Sequence, residues 1–307
     1  MRDLSIVVPT HDTRELTLRC LESLAFLAHR GAQVVLVDDG SRDGTEGAVR
    51  AACPFAEVLR NEEAQGFSRA ANRGLGAARG RLLLLLNSDT ELDASVQQVL
   101  DAFDADPRLG AAGASLVGPD GAAQWSGGRM PTRSWLTAMA SGLPALLGAL
   151  PGYRRVRPPG AGAPDAEWVT GAALVIRRAA WDEVGPLSEA FAFYGQDLDF
   201  CQRLRSGGWH VRLVGGWRVV HVGGATIGRR PGSMSGVQPA LLWADLLLWA
   251  RLHHGAAWAA RTARLMSAAV TARLLVRALA RPFASDRERW DRDSAALRSA
   301  RETLSPS

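Results

Sequence analysis

Apolar segments and amphipathic segments alternate along the first third of the chain. Residues 4–10 and 33–40 are compact apolar runs that suit strands, and residues 57–60 form a third, shorter run. Residues 16–27 and 66–79 instead carry apolar positions at helical spacing. Strands that alternate with helices at these intervals predict an α/β fold with a mostly parallel, doubly wound sheet.

The most apolar segment, Arg81-Leu-Leu-Leu-Leu-Leu-Asn-Ser-Asp-Thr90, ends abruptly in a carboxylate. Five leucines without alternation suit a strand that is buried on both faces, and they are too few to span a membrane. At the carboxyl end of such a strand, the Asn-Ser-Asp tip would present oxygen ligands to a divalent ion. The alternative is that Asp89 or Thr90 only caps a helix over residues 94–104.

A second strand also ends in acidic residues, Asp38 and Asp39. Right-handed crossovers would place these carboxylates at the same edge of the sheet as Asp89. One of the two neighbouring aspartates is expected only to fix the turn at Gly40. The sequence therefore predicts a ligand site at the carboxyl edge of the sheet.

The second half of the chain contains two stretches without regular patterning. From Val117 to about Pro164 the sequence is rich in Gly, Pro and Arg, which inside a domain is typical of a functional loop or a mobile insert. The next predicted elements are a strand over 168–176, a helix over 178–184 and a helix that ends at Gly207-Gly208. Residues 222–236 are typical of flexible chain, and from about Pro239 the sequence is helical by composition.

Composition bounds the size of the fold and weakens one inference from charge. A chain of 307 residues with 47% hydrophobic composition can form one large core or two modest domains. The net charge of +5 and the pI near 10 would suggest a nucleic-acid or anionic-membrane partner, but all 36 basic residues are Arg. Such usage indicates biased genome composition, so no nucleic-acid partner is predicted.

The cysteines and the N-terminus bear on the compartment. Cys20, Cys53 and Cys201 are odd in number and widely spaced, which indicates neither a disulfide framework nor a zinc site. A strand begins by Leu4 and meets Pro9, which leaves no room for the hydrophobic region of a secretory signal. Buried free thiols and a cytoplasmic location are therefore predicted.

Six short segments carry a family resemblance when they are taken together and in order. They are Ile6-Val-Val-Pro-Thr10, Val37-Asp-Asp-Gly-Ser-Arg-Asp-Gly-Thr45, Gly66-Phe-Ser-Arg-Ala-Ala-Asn-Arg-Gly74, Leu86-Asn-Ser-Asp-Thr90, Thr170-Gly-Ala-Ala-Leu-Val-Ile-Arg177 and Tyr194-Gly-Gln-Asp-Leu-Asp-Phe-Cys-Gln-Arg203. They resemble the motifs of the family-two inverting glycosyltransferases, in particular their bacterial rhamnosyltransferase-like branch. The resemblance spans residues 4–226 and leaves the C-terminal segment outside it.

The resemblance implies a GT-A type, Rossmann-like nucleotide-binding sheet in a catalytic domain over residues 1–236, and composition predicts a helical segment over residues 237–307. It implies transfer of a sugar, with rhamnose among the candidates, from a dTDP- or UDP-sugar to a glycan or lipid-linked acceptor in cell-envelope polysaccharide synthesis. Such transfer needs a base pocket, Mg²⁺ or Mn²⁺ to neutralise the departing diphosphate, and a carboxylate that takes the hydroxyl proton of the acceptor.

The resemblance also assigns residues to the donor and to the metal. The implied donor contacts are Thr10, Asp39, Arg69, Asn72 and Ser88, and the implied metal ligands are Asp89 and His221. Thr10 and Asp39 would lie near the nucleoside, and Arg69 and Asn72 near the diphosphate. Asn87 departs from the family, whose motif often has a second acid there. The plainer alternatives are a solvated Arg on a helix and a structural His.

The family position of the general base matches Asp197, while Gln196 replaces the expected Glu. Asp199 is the competing carboxylate, but Arg203 lies one helical turn further on and would pair with it. If Asp197 were only a helix N-cap, the helix field would lower its pKa. Burial against the aromatic residues of the segment 191–194 would instead raise that pKa, and this is the expected direction.

Two rival functions stay open from the sequence. A sugar nucleotidyltransferase also has a nucleotide-binding α/β sheet, but it is expected to carry an N-terminal Gly-rich signature, and Pro9-Thr-His-Asp-Thr13 has no glycine. A degenerate transferase that serves as a non-catalytic binding partner is suggested by Gln196 and Asn87. Transfer activity or donor hydrolysis would separate it from an active enzyme.

The C-terminal segment is apolar over residues 241–250 and 265–280, but Asp245, Arg273 and Arg277 interrupt these runs, so no membrane-spanning helix is predicted. Arginines beside tryptophans and leucines are typical of helices that lie in an anionic interface. We therefore expect this segment to contact the inner face of the membrane, where a lipid-linked acceptor would be met. The alternatives are packing on the catalytic domain or on a second subunit in a homodimer.

Overall fold

The computed structural model describes residues 3–143, 166–223 and 237–304. By their internal contacts these residues form two compact units. The first unit comprises residues 3–129, 166–190 and 196–223, and the second comprises residues 130–143, 191–195 and 237–304. Residues 144–164 of the irregular stretch that begins at Val117, and residues 224–236 of the stretch expected to be flexible, lie outside the described residues.

Strands and helices alternate through the described residues. The strands are β1 (Leu4–Thr10), β2 (Gln33–Asp39), β3 (Ala56–Asn61), β4 (Leu82–Leu86), β5 (Thr90–Leu92), β6 (Leu109–Val117), β7 (Gly127–Gly128), β8 (Trp168–Val169), β9 (Ala173–Arg177) and β10 (His210–His221). The helices are α1 (Arg14–Ala28), α2 (Thr45–Ala52), α3 (Phe67–Ala77), α4 (Val96–Ala105), α5 (Arg133–Ser141), α6 (Arg178–Val184), α7 (Gln196–Ser206), α8 (Pro239–His254), α9 (Ala256–Ala280) and α10 (Arg287–Glu302).

One eight-stranded sheet organises the first unit, in the order β3-β2-β1-β4-β9-β6-β10-β5. Strands β1, β2, β3 and β4 run parallel to one another, and β6 runs parallel to β10. Helices α1, α2 and α3 supply the crossover connections that parallel neighbours require. The predicted α/β fold with a mostly parallel sheet is confirmed.

Strand β9 runs antiparallel between β4 and β6, and β5 runs antiparallel to β10 at the edge of the sheet. The sequence predicted one strand over residues 168–176. The chain instead forms β8, which pairs with β7 in a separate ribbon, and then turns through residues 170–172 into β9.

Strand β4 lies at the centre of the sheet, between β1 and β9. Its five leucines are all 3% exposed or less, so the predicted strand buried on both faces is confirmed. Strand β5 follows almost at once, and α4 begins only at Val96 with Ser95 in the N-cap position. The alternative in which Asp89 or Thr90 caps this helix is therefore wrong.

The second unit is helical, as predicted from Pro239 onwards. Helix α9 packs on α5, α8 and α10, and α8 also packs on α10. Helix α5 was not predicted, although Thr132 accepts the backbone N–H of Trp135 as an N-cap, because Gly and Pro dominate the residues around it. Among the described residues, none of the helices is long and apolar enough to cross a lipid bilayer.

Charged residues that interrupt the C-terminal apolar runs have partners inside the second unit. Asp245 is buried, and its carboxylate accepts the backbone N–H groups of residues 192–194 at 2.7–3.0 Å. Arg277 and Arg281 donate to side chains of α10 at 2.7–2.8 Å. These hydrogen bonds stabilise the helical unit, and they occupy the guanidinium groups of Arg277 and Arg281 with partners inside it.

Candidate active site

The carboxyl ends of β1, β2 and β4 lie at one edge of the sheet because these strands are parallel neighbours. Thr10 is in register with Asp38, and Asp39 is in register with Asn61 of β3. The polar residues that were predicted to share one edge are therefore brought together there.

Asp38 is the member of the acidic pair that fixes the turn. Its side chain is fully buried, accepts the backbone N–H of Ser41 at 2.8 Å and forms an ion pair with Arg60. The turn passes so close to the neighbouring loop that a Cβ on Gly40 would lie 2.7 Å from the backbone of Glu63. Gly40 has φ +72°, which glycine adopts without strain. Asp38 thus has a structural role.

Asp39 ties the end of β2 to the loop that precedes α3. Its carboxylate accepts the amide of Asn61 at 2.6 Å and the backbone N–H groups of Gln65 and Gly66 at 2.8–3.0 Å. Both carboxylate oxygens therefore already accept hydrogen bonds within the protein. The contact between Asp39 and a nucleoside stays a prediction.

A chain of hydroxyl groups joins the end of β1 to the tip of β4. The Thr10 hydroxyl lies 2.9 Å from that of Thr13 and 2.7 Å from that of Thr17. The Thr13 hydroxyl in turn lies 3.0 Å from that of Ser88. The structure therefore brings Thr10 and Ser88 into one network, and Thr13 links them.

Arg69 and Asn72 contact the segment that follows α6. Asn72 donates to the carbonyl of Leu187 and accepts its N–H, both at 2.9 Å. Arg69 pairs with Glu189 at 3.0 Å, and both side chains are about half exposed. An exposed pair of this kind contributes at most about 1 kcal/mol, so Arg69 can exchange Glu189 for another anion at low cost. The diphosphate contacts of both residues stay predictions.

Asp89 and His221 face each other at the edge of the sheet. His221 is the last residue of β10 and pairs with Thr90 of β5. Its Nε2 lies 3.4 Å from Oδ1 of Asp89, and both side chains are about 15% exposed. The antiparallel pairing of β5 with β10 thus creates the predicted Asp–His pair.

Gln124 holds the imidazole of His221 from the other side. The Gln124 amide nitrogen donates to the His221 carbonyl at 2.7 Å, and Oε1 of Gln124 lies 2.7 Å from Nδ1. A backbone carbonyl can only accept, so the amide orientation is fixed and Nδ1 must carry the proton. The Nε2 lone pair then points towards Asp89. Gln124 lies in the irregular stretch of sequence, where no pattern marked it.

The donor set at this pair suits a divalent ion. A carboxylate oxygen beside an imidazole nitrogen is a common environment for Mn²⁺ and is compatible with Mg²⁺. The Oδ1 atom of Asn87 is buried and has no hydrogen-bond partner among the described residues, so a further oxygen ligand is available at the same strand tip. The described residues contain no cluster of three His, Cys, Asp or Glu that could hold a metal ion.

Asp197 lies in the first turn of α7 and contacts the chain between β8 and β9. Its carboxylate accepts the backbone N–H groups of Gly171 at 3.1 Å and Leu198 at 2.8 Å. Burial raises the pKa of Asp197, although these hydrogen bonds and one from the Thr170 side chain act in the opposite direction. The pKa therefore moves in the expected direction, and the contribution of the aromatic segment 191–194 stays a prediction.

Asp197 lies near the end of β4, the strand that is followed by Asp89. A Cβ on Gly171 would lie 3.8 Å from Cβ of Asp197 and 4.0 Å from Leu85 of β4. The next residue, Ala172, accepts the backbone N–H of Asn87 at 2.9 Å. The candidate base thus approaches the end of the strand whose tip carries Asp89.

Asp199 has the structural role that was predicted for it. It is buried and accepts from Arg203 at 2.9 Å, and Arg203 also donates to the backbone carbonyls of Val184 and Pro186. Gln196, which replaces the expected Glu, is buried, and its Oε1 has no partner within the part of the chain that the structure describes.

Comparison with known proteins relates the sequence of this chain to glycosyltransferases. The family model "Glycosyl transferase family 2" matches residues 5–156, which includes Asp89 and ends before Asp197 and His221. A Mycobacterium tuberculosis protein named N-acetylglucosaminyl-diphospho-decaprenol L-rhamnosyltransferase is 29% identical over 249 residues, which are 75% of this chain and 79% of that protein.

Two solved structures resemble the fold. One is the mannosyltransferase PcManGT from Pyrobaculum calidifontis in complex with GDP-Man and Mn²⁺, with a TM-score of 0.53, 18% identity and coverage of 97% of this chain and 85% of that chain. The other is S. aureus TarS 1–349 in complex with UDP-GlcNAc, with a TM-score of 0.55, 15% identity and coverage of 99% and 82%. At these identities the likeness shows the fold alone, which is of the GT-A type.

Proposed function

Because the chain carries a glycosyl transferase family 2 domain on a GT-A fold, we propose that it is an inverting, metal-dependent enzyme that transfers a sugar from a nucleoside diphosphate sugar. The observation that carries the proposal is the partly buried carboxylate of Asp197, whose raised pKa suits a general base, next to the strand that ends in Asp89. The family match favours glycosyl transfer over the rival nucleotidyl transfer.

In the proposed reaction, Asp197 accepts the proton of an acceptor hydroxyl while the oxygen attacks the anomeric carbon of the donor. The bond from that carbon to the diphosphate breaks, and the nucleoside diphosphate leaves from the opposite face, which inverts the configuration. Raising the pKa of Asp197 towards neutrality improves it as a proton acceptor, because the driving force for proton transfer increases.

Asp89 and His221 would hold Mg²⁺ or Mn²⁺. A bound divalent ion would neutralise charge on the departing diphosphate. The remaining predicted residues would bind the donor, and these are Thr10 and Asp39 at the nucleoside and Arg69, Asn72 and Ser88 at the phosphates and the sugar. Arg69 is suited to this because its present partner, Glu189, is exposed and weakly held.

The proposed acceptor is a lipid-linked glycan in cell-envelope polysaccharide synthesis. The support is the mycobacterial relative, whose name specifies a diphospho-decaprenol acceptor and rhamnosyl transfer. We accordingly propose a dTDP- or UDP-sugar donor, a catalytic domain over residues 1–236 and a helical segment over 237–307 that contacts the membrane. In the alternative, the helical segment forms a homodimer.

A thermal-shift panel of nucleoside diphosphate sugars, with and without Mn²⁺, tests the proposal. A ligand that binds only the native state raises its stability by about 2.7 kcal/mol at a hundredfold excess over Kd. We expect stabilisation by a dTDP- or UDP-sugar that requires Mn²⁺. Stabilisation without turnover of any acceptor would favour the non-catalytic alternative, which the Gln196 and Asn87 departures suggested.

A further inference from the structure

Gln124 belongs to none of the sequence motifs, yet it contacts both the main chain and the ring of His221. We infer that Gln124 is a positioning residue that keeps His221 in the tautomer whose Nε2 can bind a divalent ion beside Asp89. This inference rests on the proposed function, because it concerns the metal that the transfer would use.

The two bonds of Gln124 make the tautomer choice strong. In the opposite tautomer, the Nδ1 lone pair would face Oε1 of Gln124 at 2.7 Å, and the Nε2 proton would occupy the position of the ion. The amide cannot rotate to accommodate this, because its nitrogen is bound to the His221 carbonyl. The main chain of Gln124 is itself fixed by a hydrogen bond from its N–H to Leu116 of β6 at 2.9 Å.

The inference is tested with three variants of the full chain labelled with ¹⁵N in histidine. Gln124→Leu removes both bonds, Gln124→Glu keeps an acceptor at Nδ1, and Gln97→Leu is a matched control whose amide donates to Asp101 on α4. Two-bond ¹⁵N–¹H spectra report which ring nitrogen of His221 carries the proton. Titration with Mn²⁺, followed by electron paramagnetic resonance, reports metal affinity without turnover.

The wild-type chain, Gln124→Glu and Gln97→Leu should show His221 protonated at Nδ1, and Gln124→Leu should show a mixture of tautomers. Gln124→Leu should also bind Mn²⁺ about 10- to 100-fold more weakly. If Gln124→Leu binds Mn²⁺ as tightly as the wild-type chain, the inference about Gln124 is overturned and the proposed function is not affected. A wild-type chain that binds no Mn²⁺ overturns the metal site of the proposed function and the inference with it.

A separate observation concerns two tryptophans, Trp125 and Trp168. The rings of Trp125 and Trp168 meet edge to face, with centroids 5.3 Å apart and planes at 79°. Their indole N–H groups donate to the carbonyls of Gly127 at 3.2 Å and Arg129 at 3.1 Å. Trp125 nevertheless stays 45% exposed. These rings are therefore held in fixed orientations while one presents a large apolar surface to solvent.

Each tryptophan is a sequence neighbour of a residue that acts on one of the site groups. Trp125 follows Gln124, which holds His221, and Trp168 lies two residues before Thr170, whose side chain lowers the pKa of Asp197. The backbone of Thr170 continues the β7–β8 ribbon by donating to Ser126 at 3.1 Å. Residues two apart in extended chain face the same side, so Trp168 faces the side of Thr170.

We propose that Trp125 and Trp168 form a subsite for a pyranose ring of the acceptor. One face of a pyranose is lined by C–H groups that pack on an indole, while its hydroxyl groups stay accessible at the rim. The ring bound on this pair would be a further sugar of the acceptor, linked to the sugar whose hydroxyl contacts Asp197. This proposal also rests on the proposed function, because it names a contact for its acceptor.

Kinetics and binding test the subsite separately. Trp125→Ala should raise the acceptor KM about 3- to 10-fold without changing donor affinity, and Trp125→Phe should retain most of the wild-type value. Trp209→Ala is the control. The indole N–H of Trp209 also donates a hydrogen bond, to Glu183, but Trp209 lies just before the start of β10, whereas His221 is at the end of that strand. The binding probe is methyl N-acetylglucosaminide, added with UDP to the ¹⁵N-labelled chain.

The indole N–H signal of Trp125, identified by its loss in Trp125→Phe, should shift on titration with this sugar. Transfer with an unchanged acceptor KM in Trp125→Ala would overturn the subsite and leave the transferase intact. A signal shift in a chain that transfers no sugar would support the subsite and count against the proposed function.

Discussion

Replacing Asp197 by Asn tests the assignment of the general base, because it removes the proton acceptor and nearly preserves the shape. Transfer should fall by about 10²- to 10⁴-fold, the range that a positioned general base contributes. The described partners of the carboxylate are protein groups that are not among the predicted donor contacts, namely Gly171, Leu198 and Thr170. Donor affinity should therefore stay within about twofold of the wild-type value.

The same substitution should change how stability depends on pH. Burial raises the pKa of Asp197 in the folded state above its unfolded value. Below the unfolded pKa both states hold the proton, and as the pH rises through the folded pKa the wild-type chain loses stability. Each unit by which the pKa is raised corresponds to about 1.4 kcal/mol of this loss. The Asn variant does not ionise and escapes it.

A second effect of the Asn side chain is constant with pH. The two carboxylate oxygens each accept one backbone N–H, from Gly171 and from Leu198, and an amide can accept only one of them. The lost hydrogen bond costs about 0.5–1.5 kcal/mol at every pH. The diagnostic quantity is therefore the difference in unfolding free energy between variant and wild type, which should rise in favour of the variant with increasing pH.

Urea unfolding of both chains from about pH 3.5 to 9, a range that begins below the unfolded pKa of Asp, together with initial rates at saturating donor, measures these quantities. Asp199→Asn is the matched control, because it removes a neighbouring carboxylate that pairs with Arg203. That control should lose stability but keep the pH trend and the chemistry of the wild type. A transfer rate near wild type in Asp197→Asn, or a stability difference that is flat with pH, would refute the assignment.

Three further predictions follow from the contacts described above. Asp89→Ala should abolish the Mn²⁺-dependent thermal stabilisation by donor, and unchanged stabilisation would remove Asp89 from the site. Asp245→Leu should destabilise the chain by about 3 kcal/mol or more in urea unfolding, because three backbone N–H groups lose their acceptor, and a change below 1 kcal/mol would contradict that role. Leu279→Ser with Phe283→Ser should reduce sedimentation with anionic liposomes, because both side chains are at least 79% exposed. Liposome binding that is unchanged in this variant, or absent in the wild-type chain, would indicate another role for these apolar side chains.

The sequence was sufficient where a local pattern decides the structure. The leucine run predicted β4 because an unbroken apolar strand is stable only between two covered faces. The pairing of Asp199 with Arg203 followed from helical spacing in the same way. The edge that carries the site could be predicted because parallel strands end together.

Other features depend on contacts between distant residues, and no local pattern encodes them. Gln124 meets His221 across 97 positions of sequence, and the reversed strand β9 pairs with strands on both sides of it. The division of roles between Asp38 and Asp39 depends on Arg60 and Asn61 of the adjacent strand. The packed sheet determines these partners. The local sequence pattern alone therefore could not decide which of the two aspartates fixes the turn.

The most direct test of the central claim is the anomeric configuration of a transferred sugar. The chain, Mn²⁺ and a dTDP- or UDP-sugar would be incubated with a lipid-linked N-acetylglucosaminyl diphosphate, and the product examined by ¹H NMR. We expect a new glycosidic bond whose configuration is opposite to that of the donor, formed by the wild-type chain and lost in Asp197→Asn. A product that retains the donor configuration, or one that Asp197→Asn forms equally well, would contradict that claim.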